Sequence, residues 1–369
     1  MNVPLADLRR QYEAIRPEID SAIRQVIESS QFILGKAVAD FESAFAAAHG
    51  VRHCVAVGSG TDALHAALWA AGVREGDVVA TTPFTFIATV EAILLLKAVP
   101  FFVDIRPDTF TLDPARLAEA FAAHRIRSVV PVHLYGQAAD AAVIAELAAR
   151  HGAVVVEDAC QAHLARWNDQ PVGHFGQSAC FSFYPGKNLG AFGEGGAVIT
   201  DREDIALTLR RLRDHGQSAK YRHDIWGHNY RMDGIQGAVL GVKLRYLQQW
   251  TEKRRALAAH YREQIGGVGD LVLPAADPTA YHVYHLFVVR TKRRDALQTY
   301  LAERGVATAI AYPIPLHCQP AFASLGYRRG DLPESERAAE ECLALPIYAE
   351  MSDDQLGYVA ACVKDFYGR

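Results

Sequence analysis

Lys187 lies in Ser-Phe-Tyr-Pro-Gly-Lys-Asn-Leu-Gly-Ala-Phe-Gly-Glu-Gly-Gly (182–196), a small polar turn with a glycine on its amino side, between an apolar strand and a glycine cluster. A lysine held in such a turn can bring its amine to a carbonyl and form a Schiff base. Upstream, Val-Val-Val-Glu-Asp-Ala-Cys-Gln (154–161) ends an apolar run on Asp158. A carboxylate at a strand end is poorly hydrated unless it meets a cation, and a protonated pyridinium nitrogen is such a cation. The two residues suit opposite ends of pyridoxal phosphate, whose ring draws off electrons only while its nitrogen keeps a proton. Glu157, one residue earlier, should point to the other side of the strand.

Other residue types fit the remaining parts of such a cofactor. Gly58-Ser59-Gly60-Thr61-Asp62 follows a strand and opens a helix, so its free N–H groups can take a phosphate at Gly60 and Thr61. A tight turn capped by Ser59 or Thr61 explains the same residues. Ser182 adds a hydroxyl to that phosphate site, and Gln161 can donate to the phenolate oxygen. Phe86, preferred over Phe84, is placed to cover one face of a planar ring. Asn229, before a long helix, can hold an anion or simply cap that helix. Lys220, Tyr221 and His317 are polar groups in stiff or irregular segments, equally compatible with a surface role.

These residues need a scaffold. Short β-branched runs at 53–57, 77–82, 99–104, 128–132 and 153–157 alternate with helical patterns at 61–71, 86–96, 114–123 and 140–151. That alternation predicts a mostly parallel sheet with helices on both faces and active-site loops at the carboxyl ends of the strands. A strand at 197–200 and a helix at 203–214 follow. Residues 232–264 read as two long helices interrupted near Gln249 and Trp250. Beyond them a strand at 283–290 and helices at 293–304 and 353–366 predict a smaller α+β domain, which places the domains at 1–249 and 250–369.

A chain of 369 residues, 50% hydrophobic and 22% charged, has material for two domains with a substantial core. Its formal charge of -4 and pI near 6.4 give no electrostatic footprint for nucleic acid. The start lacks the apolar core of a signal peptide and the apolar runs are too short to span a bilayer, so a cytoplasmic protein is expected. Six cysteines without a Cys-x-x-Cys pair signal neither a zinc site nor a disulfide framework.

The motifs coincide in order with one family. Gly-Ser-Gly-Thr-Asp-Ala-Leu (58–64), Phe-Thr-Phe-Ile-Ala-Thr (84–89), Val-His-Leu-Tyr-Gly-Gln (132–137), Glu-Asp-Ala-Cys-Gln-Ala-His (157–163), the Lys187 segment and Asn-Tyr-Arg-Met (229–232) resemble those of the DegT/DnrJ/EryC1/StrS nucleotide-sugar aminotransferases. The resemblance implies a fold-type I, aspartate aminotransferase-like α/β enzyme that works as a homodimer with shared active sites. It implies Lys187 as the Schiff-base lysine, Asp158 as the pyridinium partner and Gln161 as the phenolate partner. Gly60, Thr61 and Ser182 would bind phosphate, Phe86 would stack, and Asn229 would reach the phosphate from the other subunit. Tyr184, Lys220, Tyr221 and His317 would line the sugar site.

The implied reaction passes an amino group from L-glutamate through pyridoxamine phosphate to a nucleotide-linked keto sugar. Tyr184 before Pro185, and Asn188-Leu189-Gly190 after the lysine, resemble members that aminate C3 of a hexose, giving a dTDP-linked 3-keto-6-deoxyhexose as the expected acceptor. A C4-aminating enzyme is the alternative. Related dehydratases carry histidine in place of the lysine, and a cofactor- or sugar-sensing regulator without turnover is a reading of another class. The chain departs from the usual pattern at Cys160, where alanine or serine is common, and at Leu164-Ala165-Arg166, which replaces a glycine-containing continuation.

Overall fold

The structure is a computed structural model that describes residues 1–275 and 278–368. Seven strands, β1 (His53–Val57), β2 (Val78–Thr81), β3 (Val99–Phe102), β4 (Ser128–Val130), β5 (Val154–Asp158), β6 (Ser178–Ser182) and β7 (Gly196–Thr200), form one sheet in the order β1-β7-β6-β5-β4-β2-β3. Only β7 runs against its neighbours; the remaining pairings are parallel. The sheet is buried on both faces, which is why its strands read as near-continuous apolar runs.

Strand alternation sorts these residues between two layers. Cys54, Ala56, Phe181 and Ile199 face a core built with Phe41 and Phe45 of α2 (Gly35–His49). Val55, Val57, Cys180 and Val198 face Leu64 and Leu68 of α3 (Gly60–Ala70). The second layer also holds α4 (Ala88–Leu95) and a helix at Glu203–Leu212, which packs against α3, β1 and β7. The Phe41 side continues through α5 (Pro114–Ala123) and α6 (Ala141–Arg150), packed on Val129 and Val155. α1 (Leu8–Ser29) and α2 stand in a stretch that the apolar periodicity left unassigned.

Residues 232–264 do not form two helices. One helix of 32 residues, Gly234–Ile265, runs through Gln249 and Trp250. No glycine or proline interrupts it there, the Thr251 hydroxyl bonds the Leu247 carbonyl at 2.9 Å, and Trp250 is buried against Ile15, Ile19 and Tyr246. The expected division at 249/250 falls inside this helix, which gives Leu240 and Leu247 to the Phe41 core and Leu257, Tyr261 and Ile265 to another. That other core contains Phe287 and Val289, in an antiparallel pair of strands Phe287–Arg290 and Cys342–Leu345, with helices Arg294–Glu303 and Asp353–Phe366 packed on it. The strand expected at 283–290 is shorter because Val283 N–H bonds the Gly136 carbonyl instead, at 2.9 Å.

Candidate active site

At the carboxyl ends of β1, β2, β4, β5 and β6 lies a cavity of about 540 Å³, the position where α/β sheets bind ligands. Its floor is the start of α3. Ser59 caps that helix, its hydroxyl accepting from Asp62 N–H at 3.1 Å, so the capping role and a cavity-wall role coexist. Gly60 has to be glycine: a Cβ there would sit 2.7 Å from Ser182 Cβ and 3.3 Å from Cys160 Sγ. Gly196, the first residue of β7, is constrained likewise, since a Cβ would run into the Ser59 carbonyl. Bare backbone at both places lets the Lys187 segment and the α3 turn meet at one point.

Asp158 is buried, with 4% of its surface exposed. Its Oδ2 accepts from the Thr89 hydroxyl at 2.8 Å and its Oδ1 from Cys160 N–H at 3.2 Å. Thr89 is in turn 3.1 Å from the hydroxyl of Thr85, in the loop that leads into α4. Lys187 is half-buried and faces the same cavity. Burial lowers its pKa from the usual lysine value, against the opposing pull of Cys160 and Asp158. Its turn is fixed on several sides: Lys187 N–H bonds the Tyr184 carbonyl at 2.8 Å, Asn188 Nδ2 bonds the Val283 carbonyl at 3.0 Å, and the buried Lys243 ammonium bonds the Gly190 carbonyl at 2.7 Å. Such anchoring limits where the Lys187 amine can go.

The orientation of Gln161 follows from its partners. Tyr135 N–H donates to Oε1 at 2.8 Å, which leaves Nε2 to donate to the Tyr312 hydroxyl at 3.0 Å on the cavity side. The ring of Phe86, 55% exposed, stands 6.1 Å from that of Tyr312. Ser182 and Tyr184 also line the cavity.

The structure thus gathers Lys187, Asp158, Gly60, Thr61, Phe86, Gln161, Ser182 and Tyr184 around one space. It does not bring Asn229, Lys220, Tyr221 or His317 there. Lys220 and Tyr221 sit on an exposed hairpin of strands Gln217–Ala219 and Arg222–His223, with Tyr221 83% exposed, and Asn229 lies just beyond it. His317 is buried elsewhere, its Nε2 3.0 Å from Glu336 Oε1, and with Cys318 the three donor atoms lie within 4.8 Å of one another. The hydrogen bond accounts for that grouping.

Thr85, Thr89 and Tyr312 belong to the site and were not singled out by sequence. Thr85 and Thr89 share the segment of Phe86, Thr85 in the loop and Thr89 in the first turn of α4; Tyr312 shares a stiff Tyr-Pro-Ile-Pro segment with His317. Leu164 takes φ of +64°, a backbone that glycine adopts freely and that costs a leucine roughly 1–2 kcal/mol.

A flat pyridine with an aldehyde and a phosphate fits these residues. Lys187 can take the aldehyde, Asp158 the ring nitrogen, the open Phe86 ring one face, and the start of α3, where a Cβ on Gly60 would leave no room, the phosphate. Among the described residues no helix is long and apolar enough to cross a membrane.

Residues 13–364 match the DegT/DnrJ/EryC1/StrS aminotransferase family. A pleiotropic regulatory protein of Geobacillus stearothermophilus is 48% identical over 369 residues, covering 100% of this chain and 99% of its own. The dTDP-3-amino-3,4,6-trideoxy-alpha-D-glucose transaminase of Streptomyces venezuelae is 43% identical over 367 residues, covering 100% and 97%. The crystal structure of S. venezuelae DesV superposes with a TM-score of 0.97 at 42% identity, covering 100% of this chain and 99% of that one.

Proposed function

We infer, for a chain that belongs to the DegT/DnrJ/EryC1/StrS aminotransferase family, that it uses pyridoxal phosphate to move an amino group from L-glutamate to a nucleotide-linked keto sugar. The observation that carries this reading is the pairing of Lys187 and Asp158 on one cavity at the strand ends. The cofactor supplies an electron sink when bound. Lys187 would hold the cofactor's aldehyde, and its amine, when free, would carry the proton between Cα of the amino acid and the carbon of that aldehyde. Burial suits it to this work, because a lowered pKa leaves more of the amine free of its proton near neutral pH. Asp158, fixed by Thr89 and Cys160, keeps the ring nitrogen protonated.

For the acceptor, the reading is a dTDP-linked 3-keto-6-deoxyhexose aminated at C3. It is supported by the turn that carries Lys187, with Tyr184 at the cavity wall and Asn188 tied to Val283, and by relatives whose names specify 3-amino products on dTDP sugars. A UDP-sugar 3-aminotransferase at 40% identity keeps the same carbon with another nucleotide. Incubation with L-glutamate and keto sugars, followed by NMR, is expected to place the new amine at C3. Exclusive amination of a 4-keto sugar would overturn the choice of carbon and leave the aminotransferase intact. The regulatory name of the relative from G. stearothermophilus favours a second reading, a sensor without turnover; the same assay decides, since a sensor yields no amino sugar.

The site as a whole is read as shared between two copies of the chain. Asn229, Lys220 and Tyr221 are not among the residues lining their own cavity, and Trp226, just past the hairpin, is 95% exposed. A second copy would cover these groups and bring Asn229 to the phosphate. Mixing Lys187→Ala subunits with Asn229→Ala subunits is expected to recover activity up to about a quarter of wild type, because a hybrid dimer rebuilds one intact site. Proven heterodimers with no recovery contradict a shared site.

A further inference from the structure

Glu157 turns its carboxylate to the face of β5 opposite Asp158, and no part of it is exposed. It is nonetheless fully occupied. Oε1 accepts from Phe175 N–H at 3.0 Å and Gly176 N–H at 2.8 Å; Oε2 accepts from Gly173 N–H at 2.9 Å and stands 3.1 Å from His133 Nε2. The imidazole, also fully buried, has its tautomer set by its other nitrogen. Ala139 N–H donates to Nδ1 at 3.0 Å, so the proton is on Nε2 and points at Glu157.

From His133 the connection returns to the cavity. His133 N–H bonds the Asp158 carbonyl at 2.9 Å, and Asp158 N–H bonds the Pro131 carbonyl at 2.9 Å, so the segment 131–133 extends the pairing with β5. Two residues on, Tyr135 adopts φ of +58° and presents its N–H to Gln161 Oε1 at 2.8 Å. That contact alone decides which end of the Gln161 amide faces the cavity. A primary amide whose oxygen is held must offer its nitrogen on the other side.

We propose that Glu157 and His133 are positioning residues that act through the turn at 133–135 to hold Gln161 with its N–H donor toward the cavity. The pair touches neither substrate nor cofactor. A buried carboxylate with four donors has little freedom, and a histidine held at both ring nitrogens carries that rigidity to the turn. The result is a relay from the back of the sheet to a donor at the front, built from one acidic residue next in sequence to Asp158.

The inference rests on the cofactor reading above, and the test separates the two. The full chain is loaded with pyridoxal phosphate, and the pH midpoint of its visible absorbance band is measured beside its thermal midpoint. A donor on the phenolate oxygen weakens that oxygen's hold on the neighbouring proton of the Lys187 linkage, so losing the donor raises the optical midpoint. Gln161→Ala is expected to raise it by roughly one pH unit. His133→Asn keeps an acceptor for Ala139 and cannot reach Glu157, and should raise the midpoint in the same direction. His133→Gln, whose amide nitrogen can still reach Glu157, should return most of the way to wild type. Adding His133→Asn to Gln161→Ala should move the midpoint no further, since both act on one donor.

Glu157→Gln, which sets an amide nitrogen among four donors, should behave like His133→Asn; if it does not fold, the His133 variants decide. A wild-type optical midpoint in folded His133→Asn, with only the thermal midpoint lowered, overturns the relay, as does a double variant whose shifts add. A wild-type chain that develops no visible band removes the cofactor reading itself.

Discussion

Lys187→Ala is expected to lower the rate of amino transfer by roughly 10³–10⁴-fold or more, because it removes the group that both holds the cofactor and moves the proton. Borohydride treatment of the loaded wild-type protein should fix the cofactor to Lys187, and peptide mapping should find the label there. A label on another lysine, or a variant with near wild-type turnover, would falsify the assignment. The same substitution has a stability signature of opposite sign. In the unfolded chain Lys187 keeps its ordinary pKa, whereas burial lowers it in the fold. Below the folded value the native state must carry a partly desolvated ammonium, and that cost fades as the pH rises through the folded value toward the unfolded one. The cofactor-free variant should therefore melt at least as high as wild type at pH 7, with the difference shrinking toward pH 10. A variant that melts well below wild type at neutral pH contradicts a burial cost at this site.

Asp158→Asn should slow the glutamate half-reaction by on the order of 10²–10³-fold, the size of effect seen when one aligned electrostatic partner of a reacting system is lost. The substitution is clean for a structural reason. Oδ1 is held by a backbone N–H of Cys160, which only an acceptor can satisfy, while Oδ2 faces the Thr89 hydroxyl, which can accept as well as donate. An asparagine would settle with its oxygen toward Cys160 and its amide nitrogen toward Thr89. Shape and both contacts survive, and only the negative charge is removed. Single-turnover rates near wild type in a variant of normal thermal stability would show that the ring nitrogen needs no partner at this position.

Much of this site could be read from the chain because its residues stand at strand ends, where apolar runs stop on a polar residue. Lys187, Asp158, Gly60, Phe86 and Gln161 each sit within a few residues of such a stop, and the α/β alternation already aims those ends at one place. Tyr312 escaped because it lies far along the chain from those strands, in a segment without periodicity. The long helix was misread at Gln249 and Trp250 because a bulky residue beside polar ones resembles an interruption until Ile15 and Ile19 of the first helix cover it. Helices α1 and α2 were missed for a related reason: much of their apolar stripes packs on elements far along the chain, such as Leu240 beside Phe41 and Trp250 beside Ile15. The exposed stretch from the hairpin with Tyr221 to Trp226 is the converse case, one whose composition expects a cover that this single chain does not supply.

The reversed strand β7 also governs the order in which the molecule is built. β1 is the edge of the sheet and its one strand neighbour is β7, residues 196–200. A nascent chain that has emerged only through β5 can pair β2, β3, β4 and β5, but β1 must wait with both edges open until Gly196–Thr200 is made. Contacts that span so much sequence close late and slowly. The turn at Gly60 and the segment holding Lys187 are thereby brought together when β7 pairs with β1, where Gly196 lies against the Ser59 carbonyl. Until then a chain made only through β5 can hold Asp158 beside Thr89 but has neither Lys187 nor a seated α3 turn to face them.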